Sequence, residues 1–118
     1  MHCIVLCAGR YVMDIQLKRG LLDVCVLAAI KQKDSYGYQI IKDLGPWVEM
    51  SESTLYPILR RLEAAELLTV YSAEHGGRLR KYYHLEEAGR QRIETFKKEW
   101  AEIVSIYRFV TREDVNHE

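Results

Sequence analysis

The sequence predicts a mainly α chain with a small β-hairpin wing, an α+β winged helix-turn-helix followed by a long C-terminal helix. Three stretches predict it. Residues 51–66, SESTLYPILRRLEAAE, place aliphatic side chains at helical spacing. Residues 68–85 change to period-two alternation on either side of Gly76 and Gly77, the pattern of two strands and a turn. Residues 93–110 then carry apolar side chains at spacings of 3, 4, 3, 4 and 3, which is a heptad seam.

Length and charge bound the reading. A chain of 118 residues is one small domain plus an appended helix, and its 17 Lys and Arg are matched by 17 Asp and Glu. Neutrality withholds the overall basic signature of a nucleic-acid binder, so the placement of charge has to carry that inference. No apolar run approaches the roughly eighteen residues of a membrane span, and no membrane partner is expected. Residues 1–12, MHCIVLCAGRYV, lack the cationic start and cleavage pattern of a secretory signal. They read as an upstream extension, from an earlier start codon or as a loosely ordered tail. Cys3, Cys7 and Cys25 form no CxxC pair and have no histidines at ligand spacing. They are expected to be reduced thiols in a cytoplasmic protein, with no metal or cofactor.

The expected elements run as follows. From Gln16 to Lys31, Leu17, Leu21, Val24 and Ala28 form one apolar stripe and Leu22, Val26, Ala29 and Ile30 a second, so this helix has neighbours on two sides. Asp34 or Ser35 is expected to cap a short helix from Tyr36 to Leu44, with Ile40, Ile41 and Leu44 inward. Gly45, in a left-handed cap conformation, and Pro46 end it. Gly37 interrupts helix propensity, which suggests close packing against a neighbouring helix. The next helix begins at Ser51 or Ser53, and Pro57 favours the later start because a proline inside a helix removes a backbone bond. Two short helices joined by a turn that contains Trp47 are a helix-turn-helix.

On that second helix Leu55, Ile58, Leu59 and Leu62 share one side with Glu66, while Ser53, Pro57, Arg60 and Ala64 lie opposite, flanked by Thr54, Tyr56 and Arg61. The aliphatic side must be core. Small and hydroxyl-bearing residues on the other let the helix sit deep in a groove, where an arginine reaches guanine O6 and N7 or a phosphate. The hairpin adds Arg78, Arg80 and Lys81 with no acidic residue between His75 and His84, a cationic finger suited to phosphates. Gly76 and Gly77 are its turn, not a nucleotide loop, since strand patterns flank them on both sides.

The last helix, from about Glu86 to Arg112, would run roughly 40 Å at 1.5 Å per residue. Ile93, Phe96, Trp100, Ile103, Tyr107 and Val110 are its seam, and Val104, Ile106 and Phe109 widen it. A lone domain of this size does not easily cover such a stripe. The expectation is a homodimer in which this helix crosses its mate; folding back on its own domain is the alternative that the spacing leaves open. The divisions expected are thus an extension (1–12), a winged helix-turn-helix domain (13–85), a dimerisation helix (86–112) and a tail (113–118).

Four motifs in order, LLDVCVLAAI (21–30), SYGYQI (35–40), STLYPILRRLE (53–63) and GGRLRKYY (76–83), give a chain that resembles the PadR family of winged-helix transcriptional regulators in its short form. The resemblance implies a cytoplasmic homodimer that binds double-stranded DNA at an inverted-repeat operator and represses transcription. It carries DNA contact onto Ser53, Thr54, Tyr56 and Arg60, and onto Gly76, Gly77, Arg78, Arg80 and Lys81, with Tyr36 and Tyr38 where the preceding helix meets the backbone. In some relatives a small aromatic effector binds between terminal helices, at a position that Trp100 matches; pocket wall and seam filler both stand as readings of Trp100. The chain departs from the family in having Glu86 where Ser or Thr often precedes the last helix.

Two other classes of function compete with this reading. An enzyme would need a convergent catalytic set, and the four histidines are scattered with no nucleophile and base in a recognisable arrangement, so no catalytic residue is assigned. A winged helix used only for protein contact is the stronger rival, since fold alone does not specify function.

Overall fold

The computed structural model describes residues 5–7 and 10–113. Its elements are β1 (Val5–Cys7), β2 (Arg10–Val12), α1 (Ile15–Ala29), α2 (Gly37–Leu44), α3 (Glu52–Ala64), β3 (Leu68–His75), β4 (Arg78–Leu85) and α4 (Glu87–Thr111). Strands β1 and β2 pair antiparallel within the stretch that the sequence marks only as an extension. Residues 114–118, most of the expected tail, lie outside the described residues.

Helix α1 starts on Asp14, whose Oδ1 accepts the Gln16 amide at 2.9 Å. Its buried face differs from the expected stripes. Of Leu17, Leu21, Val24 and Ala28 only Val24 is buried, whereas Leu27, on neither stripe, is fully enclosed together with Val26. The first half of α1 has its two neighbours, α4 beside Leu17 and Leu21 and α3 beside Leu22, but open clefts remain between them, so these side chains stay partly exposed.

The cap expected for α2 is also corrected. Tyr36 is the N-cap, in extended conformation and without a side-chain bond. Ser35 instead exchanges backbone hydrogen bonds with Tyr83, at 3.2 and 2.7 Å, and Asp34 turns toward the hairpin. At the other end Gly45 has φ −48 and ψ −46, right-handed and not left-handed. The turn continues helically there, with the Trp47 and Val48 amides both bonding to the Leu44 carbonyl. Glycine still has a use, because a residue with a β-carbon is disfavoured in that conformation before a proline.

Helix α3 takes the earlier of its two expected starts. Ser51 is the N-cap and its Oγ accepts the Thr54 amide at 3.3 Å, which leaves Pro57 inside the helix. The bond Pro57 cannot donate would have gone to the Ser53 carbonyl, and both residues lie on the exposed side, open to solvent. The helix ends in a Schellman turn on a residue other than glycine: Glu66 has φ 63, its amide bonds Glu63, and the Leu67 amide bonds Leu62. Glu66 is therefore off the helix and not on its core side.

Leu55, Ile58, Leu59 and Leu62 face inward as the spacing requires, onto Val24, Val26, Leu27, Ile40 and Leu44. The base of the hairpin closes this core with Leu68, Tyr83 and Leu85. Helix α4 joins it through Ile93 and Phe96 and runs on beside the first half of α1 as far as Ile103. A β-carbon at Gly89 would overlap the Leu67 carbonyl and Leu85, so α4 begins hard against the start of β3. Glu86 is its N-cap without a side-chain cap bond, and its carboxylate accepts from Thr69 Oγ1 at 2.8 Å. Ile93 is 5% exposed and belongs to the chain's own core, which removes the head of the expected seam from any partner. Past Val104 every residue of the helix is exposed, and the molecule measures 71 × 35 × 28 Å.

Candidate nucleic-acid interface

The outer side of α3 is open. Ser53, Thr54, Pro57, Arg60 and Ala64 are all exposed, and Tyr56 is half-buried. Gly37 explains how Tyr56 is held: a β-carbon there would overlap its hydroxyl, so the absence of a side chain on α2 lets the two helices meet through this ring. Arg61, on the flank, is committed elsewhere. Its Nη2 donates to Asp23 Oδ1 at 2.5 Å and ties α3 to α1.

Strands β3 and β4 pair from Leu68↔Leu85 to His75↔Arg78, and Gly76 and Gly77 close the hairpin with φ 59 and 81. Two consecutive positive values are the requirement of a type I′ turn, met by glycine without strain. The tip therefore bears no side chains, and His75, Arg78 and Leu79 are the first to project from it. Leu79, 76% exposed, is a tip residue that strand alternation alone did not single out.

The start of α2, the middle of α3 and the outer part of β4 surround a concavity of about 300 Å³ lined by Tyr36, Gly37, Tyr38, Tyr56, Arg80, Lys81 and Tyr83. Five of the residues expected at DNA thus converge on one surface. Ser53 and Thr54 do not join them; with Pro57 they border a separate cleft along the first half of α1. Arg78 stands apart, farther out on the tip. Arg80 is not a free surface cation: its guanidinium lies 3.9 Å from the centre of the Tyr36 ring, and Nη1 is buried without a hydrogen-bond partner. Tyr38 is 61% exposed, with the Lys42 ammonium 5.8 Å from its ring centre. Burial pushes the Tyr83 phenol above its ordinary value.

A second group was not anticipated. Tyr71 stacks on Tyr82 at 5.7 Å, Tyr82 meets Tyr36 edge-on at 5.6 Å, and Asp34 bonds both Tyr71 and His84. Register would have found part of it, since Tyr71↔Tyr82 and Thr69↔His84 put these side chains on one face. Asp34 had no such signal, being a loop residue whose type also suits a helix cap.

On α4, Phe96 stacks on Trp100 at 5.7 Å, and both border a cleft of about 180 Å³ against α1, with Leu17, Leu21 and Ile103. Trp100 is 37% exposed, Ile103 43%, Tyr107 64% and Val110 69%. Among the described residues, no group of three or more His, Cys, Asp or Glu is placed to hold a metal ion, and no helix is long and apolar enough to cross a membrane.

A helix-turn-helix with its second helix bare on one side, and a cationic hairpin beside it, defines a winged-helix DNA-binding regulator. The transcriptional regulator PadR-like family matches residues 26–95, and the chain belongs to that family. It is 36% identical over 94 residues to an uncharacterised protein of Lysinibacillus sphaericus, covering 75% of this chain and 85% of that one. A crystal structure of a protein from Streptococcus mutans UA159 superposes with a TM-score of 0.72 at 37% identity, covering 85% of this chain and 94% of that one. A PadR family transcription regulator from Clostridium difficile R20291 superposes with a TM-score of 0.70 at 32% identity, covering 75% and 97%. Proteins of this family are transcriptional regulators.

Proposed function

We propose that the chain is a cytoplasmic homodimeric repressor that binds an inverted-repeat operator. Helix α3 enters the major groove by its outer side, with Ser53, Thr54, Tyr56 and Arg60 toward bases or backbone. The wing, through Gly76, Gly77, Arg78, Arg80 and Lys81, and the start of α2, through Tyr36 and Tyr38, hold the flanking phosphates. The observation that carries this reading is the single concavity into which Tyr36, Tyr38, Tyr56, Arg80 and Lys81 converge. Two cations and four phenols line it and no carboxylate does, which suits a phosphodiester.

Pairing through α4 has support in the exposure of its outer seam. Trp100, Ile103, Tyr107 and Val110 form a row, joined by Ile106 and Phe109, that the chain itself leaves in water. A two-fold dimer buries that row and sets two copies of α3 about 34 Å apart, or a multiple of it, to match successive turns of the duplex. The cleft beside Trp100 supports a small planar aromatic effector as the releasing ligand, because a ring can pack on an indole already stacked on Phe96.

The test is binding to the promoter fragment upstream of the gene at several salt concentrations. Steep loss of affinity with rising salt is the expected result. Duplex binding that is absent, or insensitive to salt, would leave the protein-contact role instead.

A further inference from the structure

The wing meets the rest of the domain at its base, at the start of α2 and at one loop carboxylate. At its base, Leu68, Tyr83 and Leu85 are buried, and Ser35 adds one rung beside β4 through its backbone bonds to Tyr83. At the start of α2, Tyr36 meets Tyr82 and carries Arg80, and the remaining join is the carboxylate of Asp34. Asp34 reaches over β4, where Oδ1 lies 2.8 Å from His84 Nδ1, to β3, where Oδ2 accepts from the Tyr71 hydroxyl at 2.6 Å. One side chain from the α1–α2 loop thereby grips both strands. The grip continues outward through rings: Tyr71 stacks on Tyr82, Tyr82 meets Tyr36, and Tyr36 carries Arg80.

We propose that Asp34 is a positioning residue for DNA binding: through Tyr71 and His84 it fixes the angle at which the wing presents Arg78, Arg80 and Lys81 to the duplex. This rests on the reading of the wing in the preceding subsection. The leverage is considerable. From Tyr71 to His75 the strand runs about 13 Å at roughly 3.3 Å per residue, so a swing of about 10° moves the tip by about 2 Å. A displacement of about 2 Å takes an N–H···O bond out of range, and phosphate contacts at the tip are lost together. The carboxylate suits the task because each oxygen has its own partner. The Tyr71 hydroxyl, and after it His84, holds the Asp34 carboxyl below the usual carboxylate range and keeps it ionised at neutral pH, able to accept from both.

The experiment compares the full-length wild type with Asp34→Ala, Asp34→Asn and the double variant Tyr71→Phe/His84→Ala. Affinity for the promoter fragment and for an unrelated duplex is measured across salt concentrations, and backbone amide order at Gly76, Gly77 and Arg78 is measured on the free proteins. Asp34→Ala is expected to lose about tenfold in affinity on both duplexes and to lower the slope of log affinity against log salt by about one to two, with the tip amides more mobile. Asp34→Asn should recover much of this, since its amide oxygen still accepts from Tyr71, and the double variant should reproduce the loss from the wing side. A purely structural role would lower the unfolding temperature and leave the salt slope alone. Should Asp34→Ala fail to fold, the double variant carries the same comparison. A wild-type salt slope and wild-type tip order in the folded variants would overturn the positioning role alone, whereas a wild type that binds neither duplex would overturn the DNA reading on which it stands.

Discussion

The Arg80 guanidinium lies 3.9 Å from the centre of the Tyr36 ring, so a wing cation is seated on the residue that opens α2. A planar guanidinium stacks on a ring while keeping its edge donors free, which an ammonium cannot do. Arg80→Ala should therefore weaken binding to all duplexes alike, and Arg80→Lys should fall well short of restoring it. Tyr36→Ala should produce much of the same loss, and the two changes together should cost less than their sum. Fluorescence anisotropy on operator and unrelated duplexes would check this.

Arg60 differs: it is exposed on the outer side of α3, and among the described residues no acidic residue pairs with it. Arg60→Ala is expected to cost about 1–3 kcal/mol on the operator and much less on unrelated DNA, the mark of a bidentate base contact. Competition binding against single-base operator variants would show relaxed preference at one position in each half-site.

Gly37→Ala places a methyl group where the Tyr56 hydroxyl sits. Because Tyr56 packs against the core, the ring has to shift, at a cost of about 1–3 kcal/mol. Thermal unfolding should show that loss in the wild-type background and a smaller one when Tyr56 is already truncated to Ala.

The Asp34–Tyr71 hydrogen bond sets a pH window. Asp34 is held below its ordinary value, first by the Tyr71 hydroxyl and then by His84, so its stabilisation is present above the ordinary carboxylate value of about 3.9 and is lost as pH falls through the lowered one. Asp34 in turn pushes Tyr71 up, so the contribution from that side is present below the ordinary phenol value of about 10 and is lost as pH rises through the raised one. Unfolding temperature measured against pH should show the wild type losing its advantage over Asp34→Asn at the acid end, and over Tyr71→Phe at the alkaline end.

Ile103 lies in the exposed row of α4 at 43% exposure. Ile103→Glu places a charge in the proposed seam and should give monomers by sedimentation, with the helix content kept and operator affinity lost. A dimer that survives this substitution, and the same change at Tyr107, would place the subunit contact elsewhere.

Much of the architecture was legible along the chain, because burial imposes a period. Leu55, Ile58, Leu59 and Leu62 recur as one side of a helix must, the strands alternate about paired glycines that a tight turn demands, and the exposed side of α3 follows from its buried side. Periodicity does not say how far or how closely a neighbouring element covers a side, and that is why the first half of α1 was expected inside and Ile93 at a partner's seam. Nor does it report contacts between residues distant in sequence. Spacing offers Asp34 as a helix cap but does not show β4 beside Ser35, nor Asp23 of α1 within 2.5 Å of Arg61, nor Tyr36 beneath Arg80. Local spacing could specify the helices and the wing, whereas the angle between them depends on polar groups meeting across the fold, and only packing in three dimensions brings those together.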